Sequence, residues 1–337
     1  MIIYKKTDGF YHGKTKIIDP TILEYIKNLV IPPAYQDVEI YYKSGKHSKI
    51  LYSGTDAAGR EQFIYSEWWG EQQQALKLCN LIKFGEMLPQ IQADIVARLK
   101  SGDKWTQTRI IALILRVISL CNFRVGQEKY TKLYESFGIS TVHRKHLKFG
   151  DDGAKFEFIG KKSQLNACTV VDPVAIGALK NLLDRSADQN IFSYQLGKHW
   201  VPVKATEIND YLKTYDPVIT SKMFRTWDTN IQLIKLLGLQ DPTRLAASGR
   251  RKAVVAALRE VSLLVHNTPA IARKAYADPE IIKMYLEHPR TYKKVFITPA
   301  SSERIRFMNW LKSKCSTELL VAPPATGTSV ASTSVDE

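Results

Sequence analysis

The chain has 337 residues, with 48 Lys and Arg against 33 Asp and Glu, a formal net charge of +15 and a pI near 9.5. This length allows two or three domains of ordinary size, and the apolar content is sufficient for packed cores. The positive excess attracts polyanions, of which nucleic acid is the commonest, although a need for solubility alone is an alternative explanation. The charge therefore favours a protein that binds nucleic acid.

No apolar stretch is long enough to cross a membrane, because Arg116 and Ser119 interrupt the best candidate, residues 110–121. The N-terminus lacks the pattern of a secretory signal, so we expect an intracellular protein. Depending on its origin, it would lie in the cytoplasm, the nucleoid, a virion or a viral factory. The four cysteines lie far apart and form no Cys-x-x-Cys pair. Their spacing predicts neither a metal site nor disulfides and fits a reducing compartment.

The chain up to about Trp69 has mostly short, strand-like patterns. Apolar and polar residues alternate over 38–42, and two more strand patterns, 50–52 and 62–65, flank a turn signal rich in Gly and Asp. Residues 20–29 have the pattern of one short helix. We therefore predict an antiparallel β-sheet domain over residues 1–75.

Helical periodicity dominates the rest of the chain. The predicted helices cover residues 71–84, 88–100, about 110–120, 174–183, 205–214, 221–237 and 250–264. One interruption, strand patterns at 155–159 and 165–171, predicts a β-hairpin with Lys161 at its tip. The fold class is thus α+β, with a mainly α-helical domain over residues 76–315. Residues 316–337, rich in Ser, Thr, Ala and Pro, are expected to form a disordered tail.

Four separate segments contain the residue types that phosphoryl transfer from a DNA backbone requires. The segments are residues 122–130, 160–162, 221–227 and 265–276. An arginine donates from a planar fork to two phosphate oxygens and stays charged, which suits Arg124 and Arg225. A lysine such as Lys161 can protonate a leaving oxygen, and a tyrosine such as Tyr276 can attack phosphorus when cations acidify its phenol.

In this order and at this spacing, the four segments resemble type IB DNA topoisomerases, most closely the compact poxvirus-like and bacterial branch. The resemblance extends through nearly the whole chain. It implies that Tyr276 is the nucleophile, that Arg124 and Arg225 bind the phosphate, and that Lys161 protonates the leaving 5′-oxygen. Lys162 is a less favoured alternative to Lys161, because Lys161 directly follows Gly160.

The implied reaction nicks one strand of duplex DNA through a transient 3′-phosphotyrosine bond. The free strand then rotates, which relaxes positive and negative supercoils, and the nick is resealed. The phosphotyrosine ester retains the energy of the broken bond, so the resemblance implies no ATP, metal or other small-molecule cofactor. We expect a monomer whose two domains form a clamp around duplex DNA, with no membrane partner.

The fifth catalytic position departs from the poxvirus pattern. Aligned on Thr268-Pro269, the family histidine that hydrogen-bonds a phosphate oxygen falls on Asn267, and His266 lies one residue earlier. An amide N–H can donate to an oxyanion as an imidazole can, so we favour Asn267 and interpret His266 as structural. The resemblance also implies DNA contacts for Gln62, Tyr65, Gly126, Tyr130 and Lys222. Lys222 could equally be an ordinary surface charge.

Two other functions remain to be weighed. A tyrosine recombinase uses a comparable set of Arg, Lys, Arg and Tyr. Recombinases typically have a histidine with two residues between it and the second arginine, where this chain has Lys222, and their N-terminal domains are commonly helical. A non-catalytic basic DNA-binding protein would explain the charge but not the reactive set.

Overall fold

The computed structural model describes residues 1–43, 48–102, 104–186 and 188–315. These residues form two compact units, one over Met1–Leu78 and the other beginning at Cys79. The first contains an antiparallel sheet, and the larger second unit is mainly helical with a β-hairpin. The predicted α+β fold class is therefore confirmed. The predicted tail, residues 316–337, lies outside the described residues.

The sheet of the first unit has six strands in the order β3-β2-β1-β4-β5-β6, and each neighbouring pair is antiparallel. Its strands are β1 (Ile2–Lys6), β2 (Gly9–His12), β3 (Thr15–Lys16), β4 (Gln36–Tyr41), β5 (Ile50–Thr55) and β6 (Glu61–Tyr65). The predicted helix is α1 (Pro20–Asn28), which begins where the Asp19 carboxylate accepts hydrogen bonds from two backbone N–H groups. One apolar cluster, including Ile3, Ile26 and Ile40, joins this helix to the sheet.

The two helices predicted at 71–84 and 88–100 are one continuous helix, α2 (Glu67–Lys100), so the predicted break was wrong. Pro89 lies inside it, where the missing N–H and the ring usually destabilise a helix by about 3 kcal/mol. The helix is anchored on both sides of this residue by buried side chains, among them Phe84 and Ile91. Tertiary packing thus overrides the local signal of a helix end.

The second unit is built around α3, whose side chains are buried on nearly every side. The helices of this unit are α3 (Gln107–Cys121), α4 (Glu128–Tyr134), α5 (Pro173–Arg185), α6 (Ala205–Lys213), α7 (Lys222–Gly238), α8 (Ala247–Leu264), α9 (Pro269–Ala275), α10 (Pro279–Glu287), α11 (Pro289–Tyr292) and α12 (Glu303–Lys314). A π-helical turn, Lys293–Ile297, follows α11 directly. A helix that is apolar on all sides is expected to be buried in a core, and α3 is buried in the core of the second unit.

The predicted hairpin is confirmed as β8 (Gly153–Ile159) and β9 (Leu165–Val170), paired in antiparallel register. A strand that the pattern did not predict, β7 (Leu147–Gly150), extends it to a three-stranded sheet. A second small hairpin, β10 (Ser193–Leu196) with β11 (His199–Pro202), was also missed. Both missed elements are too short for a two-residue period to be recognised with certainty in a sequence.

All four cysteines are paired, which contradicts the expectation from their spacing. One disulfide joins Cys79 of α2 to Cys315, and the other joins Cys121 of α3 to Cys168 of β9. The partners lie 236 and 47 residues apart in the chain, and only the tertiary fold brings them together. The argument from cysteine spacing to a reducing compartment therefore loses its basis.

Two kinds of feature are absent from the described parts of the chain. No helix there combines the length and the apolar character that membrane crossing requires. Within the same residues, no group of three or more His, Cys, Asp or Glu side chains is placed to hold a metal ion.

Candidate active site

The guanidinium of Arg225 and the phenol of Tyr276 are in direct contact inside the helical unit. Nε of Arg225 donates a 3.2 Å hydrogen bond to the phenolic oxygen. The guanidinium carbon also lies 4.8 Å from the centroid of the tyrosine ring. Arg225 comes from the first turn of α7, whereas Tyr276 is the C-cap of α9. The two residues are 2% and 7% exposed, so the pair is buried.

The ends of two helices explain how the Arg225 charge can be buried. Nη1 donates to the carbonyl of Asn122, which caps the C-terminus of α3. Nη2 donates a 2.7 Å hydrogen bond to the carbonyl of Val265, which caps the C-terminus of α8. Carbonyls at a helix C-terminus lack partners within the helix and carry partial negative charge. They therefore compensate the desolvated cation and fix its orientation.

Arg225 remains a cation despite its burial. Burial lowers its pKa, Tyr276 raises it and the Arg124 charge lowers it, and the net result is a pKa of about 10. Three of its five N–H donors are used in the bonds to Tyr276, Asn122 and Val265. Two N–H groups remain for a phosphate oxygen.

Arg124 and Asn267 form a second hydrogen-bonded pair in the site. Nη2 of Arg124 donates a 2.8 Å hydrogen bond to Oδ1 of Asn267. The chain reaches Asn267 through a Schellman turn at the end of α8, in which the N–H of Asn267 bonds the Ser262 carbonyl at 2.9 Å. His266 occupies the left-handed position of this turn, with φ 49°. The turn reverses the chain and directs the Asn267 amide towards Arg124.

His266 has the contacts of a structural residue. Its Nε2 is 2.8 Å from the carbonyl of Cys121, and its ring lies 4.9 Å from the ring of Phe123. Burial lowers the pKa of this imidazole; the hydrogen bond with the Cys121 carbonyl opposes this effect, and Arg225 and Arg124 add to it. A neutral ring with Nε2–H as the donor satisfies this arrangement.

Two opposing effects act on the phenol of Tyr276. Burial raises its pKa, but the charges of Arg225 and Arg124, the hydrogen bond from Arg225 and the charge of Lys222 together bring it below the ordinary value. The ammonium of Lys222 lies 5.8 Å from the ring centroid. A phenol whose anion is stabilised in this way is a better nucleophile near neutral pH.

Lys161 lies on a different element from the other four predicted catalytic residues. It is exposed at the tip of the β8–β9 hairpin, in a short 3₁₀ turn that Gly160 precedes. The turn is closed by a 2.8 Å hydrogen bond from the Gly160 N–H to the carbonyl of Gln164. A side chain on Gly160 would collide with the amide of Asn166, so this close approach requires glycine.

The arrangement combines a buried tyrosine, two cations that act on its phenol, an amide and a separate lysine on a hairpin. The catalytic-core model of eukaryotic DNA topoisomerase I matches residues 66–296, which is more than half of the chain. The chain belongs to this topoisomerase I family.

Relatives of this topoisomerase family member cover most of its length. A DNA topoisomerase 1B of Acanthamoeba polyphaga mimivirus is 25% identical over 304 residues, or 86% of this chain and 89% of the viral protein. The DNA topoisomerase 1B of Vaccinia virus (strain Copenhagen) is 20% identical over 269 residues, or 79% of this chain and 82% of that protein. A DNA topoisomerase I of Monkeypox virus has the same identity over the same length. The resemblance to poxvirus-like type IB enzymes is thereby confirmed.

Two of the residues predicted from the topoisomerase resemblance to contact DNA lie on β6 of the first unit. Tyr65 is exposed at the end of the strand. Nε2 of Gln62 donates a 3.0 Å hydrogen bond to the Asp56 carboxylate, which also accepts from Nε of Arg60 at 2.9 Å. Hydrogen bonds from the backbone and side chain of Arg60 lower the pKa of Asp56 to about 2, so it is an acceptor only. The amide of Gln62 therefore has one fixed orientation.

The other three predicted contacts differ in accessibility. Tyr130 is 50% exposed on α4, and Lys222 is exposed at the start of α7. Gly126 is buried, and its N–H donates a 3.2 Å hydrogen bond to Oγ of Ser140. A side chain at Gly126 would collide with Thr141. In the structure, Gly126 thus allows close loop packing, and its contact with phosphate stays a prediction.

Sequence reasoning missed Asn230, which holds the backbone beside the nucleophile. Its Nδ2 donates a 3.0 Å hydrogen bond to the carbonyl of Tyr276, and its Oδ1 accepts a 2.8 Å hydrogen bond from the N–H of Asp278. Asn230 is 1% exposed and lies on α7, as Arg225 does. Its position within an otherwise apolar helix face was a usable signal, because a buried amide requires partners.

A second missed residue, Asp228, is an acidic group one turn after Arg225. Burial raises the pKa of its carboxyl to about 6, while the Arg304 charge and the Asn122 side chain act in the opposite direction. Asn122 thus links Asp228 to Arg225, since it interacts with the former through its side chain and with the latter through its carbonyl.

Proposed function

We propose that this protein is a type IB DNA topoisomerase that nicks one strand of duplex DNA, allows strand rotation and reseals the nick. Membership of the topoisomerase I family supports the reaction class. The hydrogen bond from Arg225 to the phenol of Tyr276, with Arg124 acting on the same phenol, is the observation that carries the proposal. It places a cation at the oxygen that must become negative and attack phosphorus.

The proposed reaction proceeds in one displacement and its reverse. The Tyr276 oxygen bonds to phosphorus as its proton passes to solvent water, and the bond from phosphorus to the 5′-oxygen breaks. Lys161 protonates that oxygen, while Arg124, Arg225 and Asn267 stabilise the charge on the non-bridging oxygens. The product is a 3′-phosphotyrosine ester and a free 5′-hydroxyl. The hydroxyl later attacks the ester, which restores the phosphodiester without ATP and relaxes supercoils of either sign.

Positive charge supports duplex DNA as the partner. We expect the sheet unit and the helical unit to bind the duplex together as a clamp, with the protein acting as a monomer inside the cell. If six to ten phosphates are neutralised, affinity should fall by about 10³ to 10⁵ between 50 and 200 mM salt. Gln62, Tyr65, Tyr130 and Lys222 are the proposed contacts that lie at or near the surface.

The direct test is relaxation of supercoiled plasmid DNA in EDTA without ATP. The wild-type protein should relax both positively and negatively supercoiled plasmid and form a covalent adduct visible after denaturation. Tyr276→Phe, which keeps the ring but removes the nucleophile, should bind DNA and form no adduct. Strand exchange between two duplexes without relaxation would indicate a recombinase instead. DNA binding without any adduct from the wild-type protein would overturn the proposal.

A further inference from the structure

The Cys121–Cys168 disulfide joins the two parts of the chain that carry the separate halves of the site. Cys121 is the last residue of α3, and Arg124 follows three residues later. Cys168 lies on β9, the strand that leads away from the hairpin tip with Lys161. The bond therefore connects the arginine segment covalently to the lysine hairpin.

The α3 terminus next to this bond contacts two other segments of the site through its backbone carbonyls. The carbonyl of Cys121 is the partner of His266, and the carbonyl of Asn122 accepts from Arg225. A displacement of this terminus would thus reach the turn before Asn267 and the clamp around the phenol. The disulfide acts at the point where small movements affect most of the catalytic groups.

Other contacts attach the hairpin mainly through β8, which also pairs with β7. The ring of Phe123 packs 6.0 Å from Phe156 and 4.9 Å from Phe158, both on β8. One backbone hydrogen bond, 2.9 Å long, joins the Phe137 N–H to the carbonyl of Ile159. These contacts hold β8. On β9, the disulfide adds a covalent bond where this strand packs against α3. Loss of the covalent bond would leave β9 attached to α3 through noncovalent contacts alone.

We propose that the Cys121–Cys168 disulfide is a positioning element of the reaction, which sets the place of Lys161 relative to Arg124 and Arg225. The inference rests on the proposed topoisomerase activity. In the oxidised protein the hairpin is held on both strands and Lys161 is aligned with the leaving oxygen. In the reduced protein the alignment is lost, and cleavage slows because protonation of that oxygen slows.

The reductive step is an ordinary dithiol exchange. Dithiothreitol supplies two electrons and two protons, the sulfur–sulfur bond breaks to give two thiols, and the reagent closes to its own cyclic disulfide. A thiol reductant therefore converts the protein to a second state, in which Cys121 and Cys168 are free thiols and cleavage is slower. The second disulfide, Cys79–Cys315, links α2 to the end of α12 and provides a matched control.

The test uses the full chain in the Cys79→Ala/Cys315→Ala background, where Cys121–Cys168 is the reducible bond. Single-turnover cleavage of an oligonucleotide duplex is measured before and after dithiothreitol treatment, with thiol counting to confirm each state. Reduction should slow cleavage about 10-fold without changing DNA affinity, which is less than the 10²–10⁴ that a general acid contributes. Cys168→Ala should reproduce the slow rate without reductant, and the background itself should match the wild-type protein.

A second substrate separates positioning of Lys161 from general loosening. If sulfur replaces the leaving 5′-oxygen, a thiolate departs without protonation, because a thiol has a pKa near 8.5. Reduction should then have little effect on the cleavage rate. Equal slowing on both substrates, or no slowing on either, would overturn the proposal. If neither redox state forms an adduct, the proposed topoisomerase activity itself fails, and this inference with it.

Discussion

The two halves of the site differ in how they are held. Arg225 and Tyr276 are buried between helix ends, with each polar group in a defined hydrogen bond. Lys161 lies exposed on a hairpin tip. The contrast separates buried groups whose hydrogen bonds stabilise the fold from a surface group that is proposed to act in the reaction. Substitutions in the two halves should therefore differ in their effects on stability.

Lys161→Ala gives the largest expected change in rate with the smallest change in stability. Removal of a general acid should slow cleavage by about 10²–10⁴, whereas an exposed hairpin substitution should alter the free energy of unfolding by less than about 0.5 kcal/mol. Rapid-quench cleavage and urea unfolding measure the two quantities. Lys162→Ala is the matched control and should retain nearly full activity. A larger loss of activity in Lys162→Ala than in Lys161→Ala would indicate that Lys162 is the general acid.

Arg225→Ala should lower both the cleavage rate and the free energy of unfolding. Loss of one charge-stabilising donor slows reactions of this kind by about 10²–10³. The same change leaves the carbonyl of Asn122 without its donor and the carbonyl of Val265 with the Asn267 amide alone, at a cost of about 1–3 kcal/mol in stability. If this variant unfolds at the same urea concentration as the wild-type protein, the buried half does not stabilise the fold and does not differ in this respect from Lys161.

Asn267 and His266 should also differ in whether their substitution slows cleavage or lowers stability, and both effects should be smaller. Asn267→Ala should slow cleavage by no more than about 10²–10³, since it removes one donor to the phosphate and the acceptor that orients Arg124. His266→Asn, which retains a residue suited to the left-handed turn, should instead lower stability by about 1 kcal/mol with little change in rate. The opposite result in cleavage and unfolding assays would make His266 the catalytic residue.

Asp228 should affect stability alone, and its effect depends on pH. Its folded-state pKa of about 6 lies above the ordinary value, so the folded protein binds this proton more tightly than the unfolded chain. Its contribution to stability therefore falls as the pH rises from about 4 to about 6. Asp228→Asn should raise the free energy of unfolding at pH 8 by at most about 3 kcal/mol, with no gain at pH 4. Urea unfolding at both values measures this; a less stable variant at pH 8 would contradict it.

Local patterns predicted the elements whose signals are local. Alternation over residues 38–42 and around the hairpin predicted strands, because a half-buried strand must alternate. The break before Pro89 was wrong because packing of distant side chains outweighed the local preference of one residue. Strands of four residues, such as β7, contain too little periodicity to be distinguished from loops.

The site also has residues that the sequence could predict and contacts that depend on the fold. Arg124, Arg225, Lys161 and Tyr276 could be named because their side chains have the chemistry that the proposed reaction requires. The partners that hold Arg225 are backbone carbonyls, which every residue has, so no residue type at positions 122 or 265 could reveal them. The disulfides also depend on distances that only the folded chain defines. Asn230 was accessible in principle, as an amide among apolar neighbours.

The burial of Arg225 against two helix termini limits how this position can change in evolution or design. A lysine would retain the charge but has no planar fork to reach two carbonyls and a phenol at once. A neutral residue would leave the Asn122 carbonyl at the end of α3 without its donor. A single substitution at this position therefore removes both a cation beside Tyr276 and a cap of α3.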